Sequence, residues 1–176
     1  MSTVFEVPTL RTPRMTLRAF HAADLDSFAA LNADPVFRHF LGGQVLTREE
    51  SWAQMERLMG QWALRGYGLF AVIHDHILIG RIGILHPIEW PEPEMAWGIA
   101  PACWGQGLAA EAAGAVLDWG FARFGFPRLA SFILRDNAAS RRVAEKLGAV
   151  REGTVELRGF LADHWVHPAP GTGVVT

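Results

Sequence analysis

The chain is 176 residues long, half of them hydrophobic, with a net charge of -2; this supplies a sizeable core and predicts one domain over 1–176. With no excess of positive charge, neither nucleic acid nor an anionic membrane surface is an expected partner, and no apolar run approaches the roughly 18 residues of a membrane span. The lone Cys103 excludes an internal disulfide and, with a start that lacks the signal-peptide pattern, points to a cytoplasmic setting.

Residues up to Pro13 read as a loose lead-in. Arg14 to Arg18 alternates polar and apolar, predicting a first strand with Met15 and Leu17 inward. Asp24 is placed to cap a helix running to about Ala33, which Asp34-Pro35 stops. Val36 to Leu41 reads as a short helix or turn before the Gly42-Gly43 break. Thr47 and Glu50 form a capping-box pattern, so a helix is expected from Arg48 to about Leu64. Trp52, Met55, Met59 and Trp62 recur at spacings of three and four and should share one face, either against the core or, for Trp52, bordering a cleft. Leu69 to His74 and Ile77 to Leu85 read as antiparallel strands around an Asp75 turn, followed by a Pro87 to Pro93 loop that holds Glu89, Trp90 and Glu92.

The most informative stretch comes next. A short apolar strand, Glu94 to Ala100, meets Pro101, then Trp104-Gly105-Gln106-Gly107, then an alanine-rich helix from Leu108. Glycines at 105 and 107 allow positive φ and close backbone approach, so consecutive N–H groups can converge where the helix N-terminus adds partial positive charge. That geometry binds anions, phosphate above all. Beyond it, Arg128 to Leu134 reads as a strand, Asn137 opens a helix through Leu147, and Gly148 ends it. Thr154 to Gly159 and Asp163 to His167 read as a closing hairpin, with 168–176 as a tail. The element pattern predicts an α/β or α+β sheet of six or seven strands with helices on both faces.

Several chemistries find no support. The glycine pattern is neither Gly-x-Gly-x-x-Gly nor a Gly-Lys-Ser/Thr loop. The seven histidines include no His-x-x-x-His pair, and Cys103 has no partner, so no metal is expected. Asp163 and His164, adjacent on a strand, point to opposite faces, which argues against a triad with Ser131 or Ser140.

Trp104 to Ala109 resembles the pyrophosphate loop of the GNAT N-acetyltransferases, Arg/Gln-x-x-Gly-x-Gly/Ala, with Trp104 where the family carries Arg or Gln. Asn137, Ser140, Glu145, Lys146 and Gly148 match that family's second motif, Asn-x-x-Ser-x-x-x-x-Glu-Lys-x-Gly. The opening Arg14-x-x-Leu17-Arg18 and the Ala110-Glu111-Ala112 after the loop resemble the branch that acetylates ribosomal-protein N-termini, RimJ/RimL-like.

The resemblance implies the GNAT fold, in which two central parallel strands, here Glu94 to Ala100 and Arg128 to Leu134, splay into a V. It implies acetyl-CoA as cosubstrate, with the pantetheine along Trp97, Gly98 and Ile99 and beside Asn137. The diphosphate would sit on Trp104, Gly105, Gln106, Gly107, Leu108 and Ala109, with Arg141 or Arg142 within reach. A primary amine, on a protein N-terminus or a small molecule, would attack the thioester directly, and main-chain N–H groups near Trp97 and Gly98 would serve the carbonyl oxygen. Glu94 is the favoured base, or a substrate-orienting carboxylate, with His86 as the other candidate. Ser140 is the candidate proton donor, because Ala144 stands where many members carry Tyr. Trp52, His86, Trp90 and Glu94 would border the acceptor, and Glu89, Glu92 and Glu94 lean toward a cationic one. A CoA-binding sensor without turnover is the alternative function, and a homodimer is left open.

Overall fold

The computed structural model describes residues 5–171. Its strands are β1 (Leu10–Arg11), β2 (Met15–Arg18), β3 (Leu69–His74), β4 (Ile77–Leu85), β5 (Glu94–Ile99), β6 (Arg128–Leu134), β7 (Val150–Leu157) and β8 (Phe160–Pro168). The helices are α1 (Leu25–Ala33), α2 (Pro35–Arg38), α3 (Arg48–Arg65), α4 (Leu108–Phe124) and α5 (Ala138–Lys146). One eight-stranded sheet runs in the order β1-β2-β3-β4-β5-β6-β8-β7. Every neighbouring pair is antiparallel except β5 with β6. No helix among the described residues is long and apolar enough to cross a membrane.

The eighth strand corrects the expected six or seven. It lies in the supposed lead-in, where Leu10 pairs with Leu17 and Arg11 with Thr16; two residues are too few to show a period. A second correction concerns Asp24. A single 3-10 turn, Ala22–Asp24, precedes α1, and the Asp24 carboxylate accepts from the Arg18 guanidinium at 2.7 and 2.8 Å and from the His21 N–H at 2.7 Å. With those contacts made, its side chain caps no N–H of α1.

α3 begins as the capping box requires. The Thr47 hydroxyl accepts the Glu50 N–H at 3.1 Å and the Glu50 carboxylate accepts the Thr47 N–H at 2.7 Å. Its buried stripe, however, is Ser51, Met55, Leu58 and Trp62. Trp52, about 100° further round the helix from Ser51, is 38% exposed and does not share the face of Met55 and Trp62. The closing hairpin is longer than expected at both ends, because β7 is a largely exposed edge strand with weak hydrophobic alternation. Its turn, Arg158-Gly159, has φ of +50° and +80°, the twist that suits a two-residue hairpin. Pro168 closes β8 instead of opening a tail, and 172–176 lie outside the described residues.

The sheet carries apolar side chains on both faces. Met15, Phe70, Ile82, Ile84, Met95 and Leu129 pack with Leu108, Ala112 and Val116 of α4. On the other face Leu69, Ala71 and Leu78 pack with Leu25 and Phe28 of α1 and Met55 and Leu58 of α3. α5 covers the far part of the α4 face, where Ile133, Ala144, Ala149 and Trp165 cluster against Trp97.

Between β5 and β6 the pairing stops almost where it begins. Glu94 pairs with Ala130, the Ala130 N–H donates to the Pro93 carbonyl at 3.0 Å, and the Ser131 hydroxyl donates to the Met95 carbonyl at 2.6 Å. From there the strands diverge. β4 stays close to β5 because Gly80 has no side chain: a β-carbon there would lie 2.1 Å from the Gly98 carbonyl oxygen. At Gly120 of α4 the added carbon would instead meet, at 2.6 Å, the Ile84 Cδ1 tip, which can rotate away. Gly80→Ala should therefore lower the unfolding free energy by about 1–3 kcal/mol, the usual cost of overpacking. Gly120→Ala should stay within about 1 kcal/mol of the wild type, since alanine's helix propensity offsets the crowding. Urea unfolding of the two variants side by side checks the order.

Candidate active site

A cavity of about 880 Å³ occupies the gap between β5 and β6, with walls drawn from both faces of the sheet. Strand alternation sets what faces it. The Ala100 N–H donates to the Ile79 carbonyl at 2.7 Å, so the even-numbered residues of β5 spend their main-chain groups on β4. Those of Met95, Trp97 and Ile99 face the gap. Met95 O is taken by Ser131 and Ile99 O by the Trp104 indole N–H at 2.7 Å, which leaves the Trp97 main chain pointing into open space.

On the α4 side the floor is the glycine turn. Gly105 and Gly107 both have φ of +76°, and Gly107 is the N-cap of α4 with no side chain capping it. The first α-helical bond is Glu111 N–H to Gly107 O, 3.0 Å. The N–H groups of Leu108, Ala109 and Ala110 are thus donors without helical partners, at the positive end of a 17-residue helix. Arg14 holds the turn in this shape. Its guanidinium ion-pairs with Glu111 at 2.7 Å and donates to the Gln106 carbonyl at 3.0 Å, keeping that carbonyl occupied on the outer side. Beside Gly107, the Arg14 Nη2 and Lys146 Nζ lie 3.7 and 3.9 Å from where a β-carbon would stand.

α5 supplies the opposite wall. Asn137 caps it by accepting the Ser140 N–H at 3.0 Å. The Trp97 indole N–H donates to Ser140 Oγ at 3.2 Å, so the serine oxygen is held by a donor and its own proton is free to point into the cavity.

On the α2 side lie Phe37, Phe40, Leu41 and Glu94. Gly98 belongs to this wall: a β-carbon there would stand 2.8 Å from Leu41 Cδ1, and its main chain is committed to β4. Glu94 accepts the Trp90 indole N–H at 2.7 Å and the Phe132 main-chain N–H. Burial pushes its carboxyl up to about 7, against the opposing pull of those two donors and of the Arg81 charge.

The sequence-derived candidates divide cleanly. Trp97, Gly98, Ile99, Trp104, Gly105, Gly107, Leu108, Ala109, Asn137, Ser140 and Glu94 all line the cavity. Gln106 does not, its carbonyl being turned to Arg14. Arg141 is also outside it, near Asp163, while Arg142 and Lys146, later on the same helix, line it. Trp52, His86 and Trp90 are not on its walls either. His86 sits 3.4 Å from Arg65 and 3.5 Å from the Tyr67 hydroxyl, and Trp90 reaches the site only through Glu94. The aromatic wall Phe37-Phe40-Leu41 went unassigned, although its i, i+3, i+4 spacing is a helical-face signal.

Behind the point where β5 and β6 part, Ser131 meets a histidine other than the one considered from sequence. Because the Ser131 proton goes to Met95, His167 Nε2, 2.9 Å away, is the donor to Ser131 Oγ. Burial pushes His167 down to about 4 and keeps it neutral. Asp163 pairs with Arg151 at 2.7 Å and His164 lies 2.8 Å from Glu92, on opposite faces as expected.

Residues 14–150 match a family model described as acetyltransferase (GNAT) domain. The chain belongs to the GNAT acetyltransferase family. It is accordingly an N-acetyltransferase, and its fold is the GNAT fold. An uncharacterized N-acetyltransferase of Bacillus subtilis, YoaA, is 28% identical over 153 residues, 84% of this chain and 86% of that protein. An acetyltransferase structure from Agrobacterium tumefaciens is 29% identical with a TM-score of 0.79, covering 94% of this chain and 97% of that one. RimL, a ribosomal L7/L12 alpha-N-protein acetyltransferase solved with coenzyme A, has a TM-score of 0.78 over 92% of this chain and 98% of its own. At 16% identity it shares the fold alone.

The two shifted groups give the GNAT chain a distinctive pH response. Glu94, raised from 4.5 to about 7, contributes stability that is full below pH 4.5 and lost as pH rises to about 7. His167, lowered from 6.5 to about 4, contributes stability that is full above 6.5 and lost as pH falls to about 4. Between 4.5 and 6.5 the two slopes oppose each other. Glu94→Gln removes the first, so the variant's unfolding free energy should climb with pH through that window more steeply than the wild type's, by up to about 1.4 kcal/mol per pH unit. Parallel slopes in urea unfolding series would show that Glu94 is an ordinary carboxylate.

Proposed function

We propose that the chain is a single-domain, acetyl-CoA-dependent enzyme of the RimJ/RimL-like branch that acetylates a primary amine by direct attack in a ternary complex. The observation that carries this reading is the cavity's two ends. Uncapped N–H groups flanked by Lys146 and Arg14 lie at one end, an enclosed carboxyl at the other, and the parted strands join them.

The residues present fit the coenzyme. The N–H groups of Leu108, Ala109 and Ala110 would hold the diphosphate, with Lys146 and Arg142 adding charge. The free edge of β5 at Trp97 and the Asn137 side chain would hold the pantetheine amides. Trp104 leaves the cradle of N–H groups open, since its indole is spent on the Ile99 carbonyl. When bound, acetyl-CoA supplies a thioester-activated acetyl group, and transfer makes one C–N bond and breaks one C–S bond.

Glu94 takes a proton from the acceptor's ammonium at its carboxylate oxygens, which frees the nitrogen lone pair to attack. Trp90 and Phe132 hold that carboxylate in place, and a pKa of about 7 leaves it able both to accept the proton and to release it. The Trp97 main-chain N–H, facing the gap, offers its proton to developing negative charge on oxygen. Ser140 Oγ, fixed by the Trp97 indole, offers its own hydroxyl proton on the sulfur side. Ala144 is fully buried in the α5 cluster, which leaves Ser140 as that helix's hydroxyl at the gap. Phe37, Phe40 and Leu41 make the wall at the Glu94 end apolar.

Thermal-shift titration tests the cradle: CoA at 100 times its Kd should stabilise the wild type by about 2.7 kcal/mol. Gly107→Val, which adds a branched side chain at φ +76°, should lose that protection, and retained protection would move the diphosphate elsewhere. Glu94→Gln should lower kcat by about 10²- to 10⁴-fold and remove the rise in rate toward pH 7; an unchanged pH profile would take Glu94 out of the reaction.

A further inference from the structure

Of the three acid residues that lean toward a cationic acceptor, two are already neutralised. Glu89 pairs with Arg158 at 2.7 Å, and Glu92 pairs with Arg128 at 2.8 Å and lies 2.8 Å from His164. Beside Glu94 there is also positive charge without an ion pair, and it is inside.

Arg81 stands on β4 directly opposite Gly98, on the sheet face shared by Glu94, Ala96 and Gly98. It is only 8% exposed, and no described residue hydrogen-bonds or ion-pairs with its guanidinium. Arg38, 6% exposed, spends its Nε on the Gln44 carbonyl at 2.8 Å, while its Nη1 is buried without a partner. A small cavity of about 40 Å³ reaches Arg81, and its walls include Leu41, Ala96 and Trp97, which also line the large cavity. Between the two, β5 presents only the small residues Ala96 and Gly98, and Leu41 sits over Gly98 at the end of a flexible side chain. Buried guanidinium groups without an anion are costly, and a carboxylate matches their forked donors. Burial brings Arg81 down to about 10, with Arg38 and Arg57 adding to the shift and Glu94 opposing it.

We propose that the acceptor amine carries a carboxylate, which displaces the Leu41 side chain and binds Arg81. The inference rests on the acetyltransferase reading for where the amine sits, at Glu94. Glu94 and Gly98 are four residues apart on β5, about 13 Å between Cα atoms, and both Glu94 and Arg81 reach inward. The carboxylate is therefore several bonds from the amine. An acidic side chain on the first residue of a peptide has this form, and so does a free ω-amino acid.

Two measurements on the full chain decide the matter. In the first, the CoA-loaded protein is titrated with glutarate and with its neutral diamide, following thermal unfolding. Glutarate alone should raise the midpoint, and Arg81→Gln should abolish the shift. In the second, acetyl transfer is compared for 5-aminopentanoate, its amide and 1,5-diaminopentane, and for peptides that begin with Glu or with Gln. The acidic member of each set should be favoured at least 10-fold in kcat/KM. Arg81→Gln should raise KM for it by about 10- to 100-fold, the loss of a charge-assisted pair. Whichever acidic acceptor is faster identifies the source.

Equal or better use of the diamine or the amides, or a preference that survives Arg81→Gln, overturns the proposal. Should Arg81→Gln fail to fold, competition by glutarate against the amine in the wild type decides, and its absence overturns the proposal. Failure of the acetyltransferase reading has a different signature: CoA gives no protection and no amine is consumed. In that case the glutarate shift still supports or refutes the anion site.

Discussion

The structure depends on an interaction that ends early. β5 and β6 run parallel at the centre of the sheet, yet they share one paired position and two extra hydrogen bonds before separating. A sheet interior normally satisfies every main-chain group with a neighbouring strand. Here the Trp97 groups are left for a visitor. Both outer flanks of the fork are fixed, β5 by its long register with β4 and β6 by its pairing with β8, so the opening does not collapse. At its closed end Ser131 links Met95 to His167, a hydroxyl and a neutral imidazole doing what a further strand pair would otherwise do.

Around that opening the chain distributes polarity by face. Odd positions of β5 look toward α4 and α5, where uncapped helix donors, Lys146 and Ser140 gather. Even positions look toward α2, where Glu94 lies among aromatic rings. One strand thus addresses two different environments through its period of two. The raised carboxyl and the uncapped amides, opposite in their electrostatic demands, are kept apart by the thickness of the sheet itself.

Much of this was legible before any coordinates. The Thr47 to Glu50 capping box, the Asn137 cap and the Gly105/Gly107 turn were visible because each rests on side-chain or φ requirements within a few neighbouring residues. The Glu94 placement followed from the strand start and the family likeness together. What escaped notice depended on contacts distant in sequence. β1 is too short to carry a period, and its anchor is the contact of Thr12 with Glu111, 99 residues away. Trp52 was misjudged because spacing alone cannot say which of two adjacent helix stripes meets the core, and Ser51, small and polar, is the residue that turns inward. Arg141 and Arg142 were indistinguishable until the roll of α5 was known. Arg81 gave no signal, since an arginine inside an apolar strand looks like an interruption until its neighbours are seen to be Gly98 and Ala96.

Because the walls of the gap come from both faces of the sheet, the two ends of the cavity lie on opposite sides of β5. The α4 turn lies at one of those ends and the wall of Phe37, Phe40 and Leu41 at the other. The uncapped amides of α4 and the carboxyl of Glu94 thus share one hollow while belonging to different faces of the sheet.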